Sequence, residues 1–89
     1  MRLDRYLKVA RLIKRRSVAK EVVDDGNVLV NGRTAKPATD IDVGDELEIN
    51  LGRHHFGAKV VKVMENPGIE EAETMYEITF EEKIEDKRS

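Results

Sequence analysis

The chain has 89 residues, no cysteine and a formal net charge of −2, and these figures exclude several classes of protein. The length fits one small domain, and the lack of cysteine excludes both a disulfide framework and a thiolate metal site. No apolar run is long enough to span a membrane and the charged N-terminus does not resemble a signal peptide, so we expect a cytoplasmic protein with no membrane partner.

The small net charge hides a strong separation of charge along the chain. Residues 1–36 contain ten Lys/Arg and four Asp/Glu, a net charge of +6, whereas residues 63–89 contain three Lys/Arg and nine Asp/Glu, a net charge of −6. A basic segment of this strength is typical of a surface that binds a polyanion. The sequence therefore predicts a basic face that binds RNA and an acidic segment, Glu65 to Glu82, that points away from it towards a protein.

Two short helices are predicted in the basic segment. Apolar residues recur there with helical spacing: Leu3, Tyr6, Leu7 and Ala10. This spacing predicts a first helix that ends near residue 12 or 13, with Tyr6 in the core and its hydroxyl at the edge. Ser17 is the expected N-cap of the second helix, and Gly26 is expected to end that helix in the left-handed conformation.

The remaining sequence predicts short antiparallel strands. An alternating run at Val28 and Val30 leads into Asn31-Gly32, a pair typical of a tight hairpin turn, and further strands are expected near residues 47–51, 58–63 and 75–80. The predicted core is Leu3, Leu7, Val22, Val23, Val28, Val30, Leu47 and Ile49. The predicted fold is α+β, with two short N-terminal helices packed on a small, mainly antiparallel sheet and a C-terminal strand extension. We expect an RNA-binding domain over residues 1–52, the strand extension over 53–82 and a charged tail over 83–89, and we expect the chain to fray after Glu81.

The candidate binding residues are cations of the basic segment, centred on the run at residues 14–16. A basic triple is often only a solvated surface, but this one lies between two predicted helices in the half of the chain with a charge of +6. Arginine suits RNA because its planar guanidinium binds phosphate through two contacts and stacks on exposed bases. The predicted RNA-binding residues are Arg2, Arg5, Arg11, Arg15, Arg16, Lys20 and Lys36.

Other conspicuous residues favour structural roles. Asp4 is expected to start the first helix and orient its neighbours, and Asn31 is expected to form a turn, with base recognition as the alternative. The pair His54-His55 could bind a metal, but without cysteine a surface loop beside Arg53 that touches RNA is the preferred interpretation. We find no phosphate-binding loop and no catalytic triad, so we expect neither a cofactor, nor a metal, nor enzymatic activity.

Several motifs in order resemble the RNA-binding domain named after the fourth small-subunit ribosomal protein, also called the alpha-L motif. They span roughly residues 1–50 and comprise Arg2-Leu3-Asp4, Lys14-Arg15-Arg16-Ser17, the segment from Gly26 to Gly32, and Gly44-Asp45. The resemblance implies two short helices on a small sheet, with basic residues of the helical layer gripping structured RNA. The run from Arg11 to Arg16 and the charged tail also resemble the heat-shock-protein-fifteen-like family.

The second resemblance implies a place of action. It indicates binding to large-subunit rRNA and peptidyl-tRNA on obstructed large ribosomal subunits, in ribosome-associated quality control and template-free elongation of stalled peptides. The implied protein partner is a peptide-tail-elongating quality control factor, and we expect this chain to be a monomer. A protein-interaction adaptor and a general binder of structured RNA in ribosome assembly remain alternatives. An enzyme is a third, although the chain has no room for the catalytic domains to which this motif is attached elsewhere.

Overall fold

A layer of short helices packs on one face of a five-stranded sheet in the computed structural model, which describes residues 1–83. The elements in chain order are α1 (Leu3–Val9), α2 (Arg16–Asp24), β1 (Val28–Val30), β2 (Arg33–Thr34), β3 (Glu46–Asn50), β4 (His54–Val60), α3 (Ile69–Ala72) and β5 (Tyr76–Lys83). This arrangement confirms the predicted α+β class. No helix within residues 1–83 is long and apolar enough to span a bilayer.

The strands form one antiparallel sheet in the order β2-β1-β3-β4-β5. Ile49 of β3 lies opposite Val28 on one side and Phe56 on the other. Because paired residues project to the same face, these side chains line the inner face beneath the helices. The sheet therefore joins residues from both the predicted domain over 1–52 and the predicted extension over 53–82.

The predicted core agrees with the structure for most residues. Six of its members are buried: Leu3, Leu7, Val23, Val28, Leu47 and Ile49. The other two, Val22 and Val30, are partly buried and pack against the same cluster. Tyr6 is fully buried, hydroxyl included, and donates a hydrogen bond of 2.8 Å to the Met75 carbonyl, so the prediction of a hydroxyl at the edge is wrong. Burial, with a contribution from nearby Tyr76, raises the pKa of Tyr6 well above its ordinary value.

Helix α1 ends earlier than predicted because Arg11 leaves the helical conformation. Arg11 has a φ of +61°, and its N–H bonds to the Lys8 carbonyl while the N–H of Leu12 bonds to the Leu7 carbonyl. This pair of bonds is the Schellman motif, which usually places glycine at the left-handed position. The prediction that the helix reaches residue 12 or 13 is wrong because arginine gives no sequence signal for this ending.

Helix α2 begins earlier than predicted and ends as predicted. Arg15 is its N-cap, and the N–H of Ala19 already donates to the Arg15 carbonyl at 2.9 Å. Ser17 therefore lies inside the first turn, and its assignment as the N-cap is wrong. Gly26 ends the helix with a φ of +81°, and its N–H donates to the Val23 carbonyl.

The hairpin between β1 and β2 confirms the Asn-Gly prediction. Asn31 and Gly32 have φ values of +52° and +83°, as a two-residue turn of type I′ requires. The Asn31 side chain accepts the Glu46 N–H at 2.9 Å and donates to the Asp45 carboxylate at 3.1 Å. These contacts occupy the amide within the fold, where it fixes the hairpin to the start of β3.

The C-terminal part contains more regular structure than predicted. Strand β5 continues to Lys83 and pairs with β4 across a register shift between Gly57 and Ala58, so the expectation that the chain frays after Glu81 is wrong for its next two residues. The short helix α3 was not predicted; the Glu71 carboxylate accepts the N–H of Gly68 at its start. The remainder of the predicted charged tail lies outside the described residues.

Candidate RNA interface

A buried carboxylate contacts two arginines at the surface, one just before α1 and one at the start of α2. Asp4, in the first turn of α1, is only 2% exposed. Arg2 binds it through two contacts of 3.2 Å, from Nε to Oδ1 and from Nη2 to Oδ2, and Nε of Arg16 lies 3.6 Å from Oδ2. The side chains of Arg2 and Arg16 remain about half exposed. We call this group the Asp4 clamp: Arg2, Asp4 and Arg16.

The starts of both helices create this geometry. Arg2 is the N-cap of α1 in an extended conformation, and Arg16 is the first residue of α2. The Asp4 carboxylate also accepts the N–H of Arg5 at 2.7 Å. A carboxylate buried without partners is strongly unfavourable, so the hydrogen bonds from Arg2 and Arg5 and the ion pair with Arg16 compensate for its desolvation. The expectation that Asp4 starts the helix and orients its neighbours agrees with these contacts.

Arg5 contacts the acidic part of the chain rather than open solvent. Its guanidinium donates to the Glu65 carbonyl at 3.2 Å and lies 3.5 Å from the Glu65 carboxylate. The prediction that the whole acidic segment points away from the basic face is therefore wrong for Glu65. The chain passes helix α1 after β4, and this brings Glu65 next to Arg5. Counting charges along the sequence cannot detect such a long-range contact.

Three cations converge on a cleft beside this contact. The cleft has a volume of about 410 Å³ and is lined by Lys8, Val9, Arg11, Lys14, Glu65, Asn66 and Pro67. The left-handed turn at Arg11 places this residue between the helices and beside Lys14. Lys8 was absent from the predicted site, although its position three residues after Arg5 puts both on neighbouring parts of one helix surface. With three cations and one carboxylate, the cleft favours an anionic ligand.

The other predicted site residues are exposed around this centre. Arg15 is the N-cap of α2, and Lys20 lies one turn after Arg16. Lys36 begins the loop whose Pro37 and Thr39 carbonyls accept N–H groups from the start of α1. Within residues 1–83 none of these three cations forms a salt bridge. The structure thus brings Arg2 and Arg16 into direct contact with one carboxylate and places Arg11 at the cleft, but it shows no side-chain contact that joins Lys36 to them.

The two histidines pair with carboxylates in the sheet. Both belong to β4, so the predicted surface loop is wrong. Nε2 of His54 lies 2.7 Å from Glu81, and Nε2 of His55 lies 2.9 Å from Glu48. In the described part of the chain, no group of three or more His, Cys, Asp or Glu side chains is arranged to hold a metal ion.

Comparison with known proteins gives a consistent assignment. The S4 domain family model matches residues 1–47. The chain is 52% identical over 88 residues to the RQC P-site tRNA stabilizing factor of Listeria innocua serovar 6a, covering 99% of this chain and 96% of that protein. It is 49% identical over 86 residues to the protein of the same name from Streptococcus pneumoniae, covering 97% and 98%.

A solved structure agrees with this assignment. The trimeric structure of Vibrio cholerae Heat Shock Protein 15 superimposes with a TM-score of 0.82 at 32% identity, covering 89% of this chain and 81% of that one. The chain therefore belongs to the S4 domain family and, within it, to the family of the RQC P-site tRNA stabilizing factors.

Proposed function

We propose that this chain is a non-enzymatic RNA-binding protein that binds tRNA and rRNA on obstructed large ribosomal subunits. In this role it holds the peptidyl-tRNA while the stalled peptide is elongated without a template, in the bacterial cytoplasm. The names of relatives that match the chain over nearly their whole length support this assignment. The S4 domain match over residues 1–47 supports RNA as the ligand.

The observation that carries the proposal is the Asp4 clamp. Arg2 precedes α1 and Arg16 begins α2, yet both guanidinium groups pair with one buried carboxylate. Because each guanidinium has five N–H groups, the clamp leaves several donors directed to solvent. Two half-exposed guanidinium groups that share one carboxylate suit the closely spaced phosphates of structured RNA.

The first test measures binding to structured RNA at several salt concentrations. If about four phosphates are neutralised, the slope of log affinity against log salt should be roughly −3 to −4. Arg16→Ala should weaken binding and reduce this slope by about one. Lys59→Ala is the matched control, because Lys59 is exposed on the outer face of the sheet, opposite the helices. Equal effects of the two substitutions, or salt-independent binding, would contradict the proposal.

The second test identifies the natural RNA. Crosslinking in cells, followed by sequencing of the bound RNA, should recover large-subunit rRNA together with tRNA. Arg16→Ala should reduce both. Recovery of ribosomal precursor RNA without tRNA would instead favour the alternative of a general binder in ribosome assembly.

We also propose that the acidic C-terminal part contacts the factor that extends the stalled peptide. Exposed carboxylates lie within α3 at Glu70 and at its C-cap, Glu73, whereas Glu71 supports the helix start and is left unchanged. The double substitution Glu70→Gln and Glu73→Gln should reduce recovery of this factor in nuclease-treated pull-downs and leave RNA affinity equal or slightly higher. A collapse of RNA affinity would place these residues at the RNA interface and refute the proposed contact.

A further inference from the structure

An apolar groove lies beside the cations of the helical layer. It has a volume of about 440 Å³ and is lined by Leu12, Ile13, Lys14, Arg15, Val18 and Leu51. Its wall is therefore mainly aliphatic, and two basic side chains stand at its rim. Val18 is 41% exposed and Leu51 is 39% exposed, so both present apolar surface to solvent.

Leu12 and Ile13 belong to the hydrophobic core or pack against it, whereas Val18 and Leu51 lie outside this cluster. In α2 the buried residues are Ala19 and Val23, and β3 ends at Asn50, so Leu51 lies outside the strand. A left-handed Gly52 follows, and the N–H of Leu51 bonds to the His54 carbonyl across this turn. Single exposed apolar residues are ordinary, but these side chains from separate elements converge on one concave surface, as binding sites do.

We propose that this groove receives one unpaired nucleobase of the bound RNA, with the adjoining phosphates held by Lys14 and Arg15. The proposal rests on the proposed RNA-binding function and adds the class of nucleotide that is recognised. Phosphates and paired bases offer no apolar face to such a groove, whereas an unpaired base that leaves the stack does. The cationic rim favours an RNA strand over an acidic or neutral protein segment as the occupant.

The inference predicts that binding depends on the presence of one base at a bulge. Three hairpins with the same stem can be compared: one with a single-nucleotide bulge, one with an abasic site at the bulge and one without a bulge. The protein should bind the bulged hairpin about fivefold more tightly than the abasic hairpin, since the phosphate charge at the bulge is the same and only the base differs. Val18→Ser with Leu51→Ser should remove this difference and leave the salt dependence unchanged.

Matched controls separate the groove from general effects. Val43→Ser removes an equally apolar side chain that is 59% exposed in the turn before β3, and it should preserve the preference for the bulged base. A bulged 2-aminopurine should become brighter on binding, because an aliphatic groove replaces the neighbouring bases that quench it. The groove variant should lose this brightening.

Each result has a distinct meaning. Equal affinity of the unmodified protein for the bulged and abasic hairpins overturns the inference, as does an equal loss of affinity for all three hairpins in the groove variant. Either outcome leaves the proposed function intact, provided that Arg16→Ala still weakens binding. Failure to bind any of the RNAs overturns the proposed function itself.

Discussion

Replacing Asp4 by Asn should weaken RNA binding although it removes a negative charge from a basic surface. The amide keeps the shape of the side chain and can still accept the N–H of Arg5, but it loses the charge that holds Arg2 and Arg16. If Asp4 only lowered the positive potential, its neutralisation would strengthen binding. If it orients the arginines, its neutralisation should weaken binding, so the sign of the effect decides between the two roles.

The two contributions can be estimated. Ordering a side chain with many rotamers at an interface costs about 0.5–1.5 kcal/mol, and two half-exposed arginines at the lower part of this range give a loss of about 1–2 kcal/mol. Removing one negative charge roughly 8 Å from a phosphate gains about 0.8 kcal/mol after screening by salt, at the effective dielectric constant of about 20 that applies near a protein surface. The orientation term is larger, and the difference corresponds to about a 1.5- to 8-fold loss of affinity.

Fluorescence anisotropy with a labelled structured RNA at fixed salt measures this effect, with circular dichroism to establish that the variant is folded. Glu21→Gln is the control for charge, because Glu21 is exposed on α2 and has no ion pair within residues 1–83. It should raise affinity by less than about twofold. In a protein that already lacks the guanidinium groups of Arg2 and Arg16, Asp4→Asn should no longer reduce affinity. An increase in affinity with Asp4→Asn in the otherwise unmodified protein would refute the clamp.

Three further changes test the fold and its connection to the site. Arg11→Gly should stabilise the protein by about 0.5–1 kcal/mol in thermal denaturation, because glycine relieves the left-handed φ, and should weaken RNA binding; unchanged binding would remove Arg11 from the site. Leu7→Ala should cost about 2–5 kcal/mol in urea denaturation, and a cost below about 1 kcal/mol would contradict its full burial. Because the pKa of Tyr6 is raised above its ordinary value of 10.0, the unfolded state ionises first, so the free energy of unfolding should fall by about 1.4 kcal/mol per pH unit well above pH 10. Tyr6→Phe should remove this contribution, and an equally steep fall in that variant would assign it to other groups.

Local signals in the sequence predicted the local parts of the structure. The Asn31-Gly32 turn requires two positive φ angles, and few residue pairs adopt them easily, so the hairpin could be predicted from the pair alone. Buried residues of α1, α2 and the sheet followed from periodicity, because one face of each element had to be apolar. Gly26 marked the end of α2, whereas Arg11 fills the same left-handed position without any such mark.

Features that depend on contacts between distant residues could not be predicted. The pairing of Arg5 with Glu65 spans 60 residues and joins the two halves that charge counting had separated. Strand β5 carries charged residues along its length because it pairs with only one strand, β4, in the described sheet. An edge strand of this kind lacks the clear alternation of apolar and polar residues that is typical of central strands. The last residues of β5 therefore resembled a charged tail. The convergence of Val18 and Leu51 likewise depends on how α2 packs beside the end of β3.

The hydrogen bond between Tyr6 and Met75 has a consequence for synthesis of the protein. The residues that match the S4 domain model, 1–47, leave the ribosome first, but the buried hydroxyl of Tyr6 lacks its acceptor until residue 75 has followed. Residues 1–47 also lack β4, whose Ala58 pairs with Leu47. Translation therefore delivers all ten Lys/Arg of residues 1–36 before the acceptor that ties helix α1 to the C-terminal part of the chain. The contact between α1 and the residue before β5 can form only late in synthesis, after the residues that bear the basic surface.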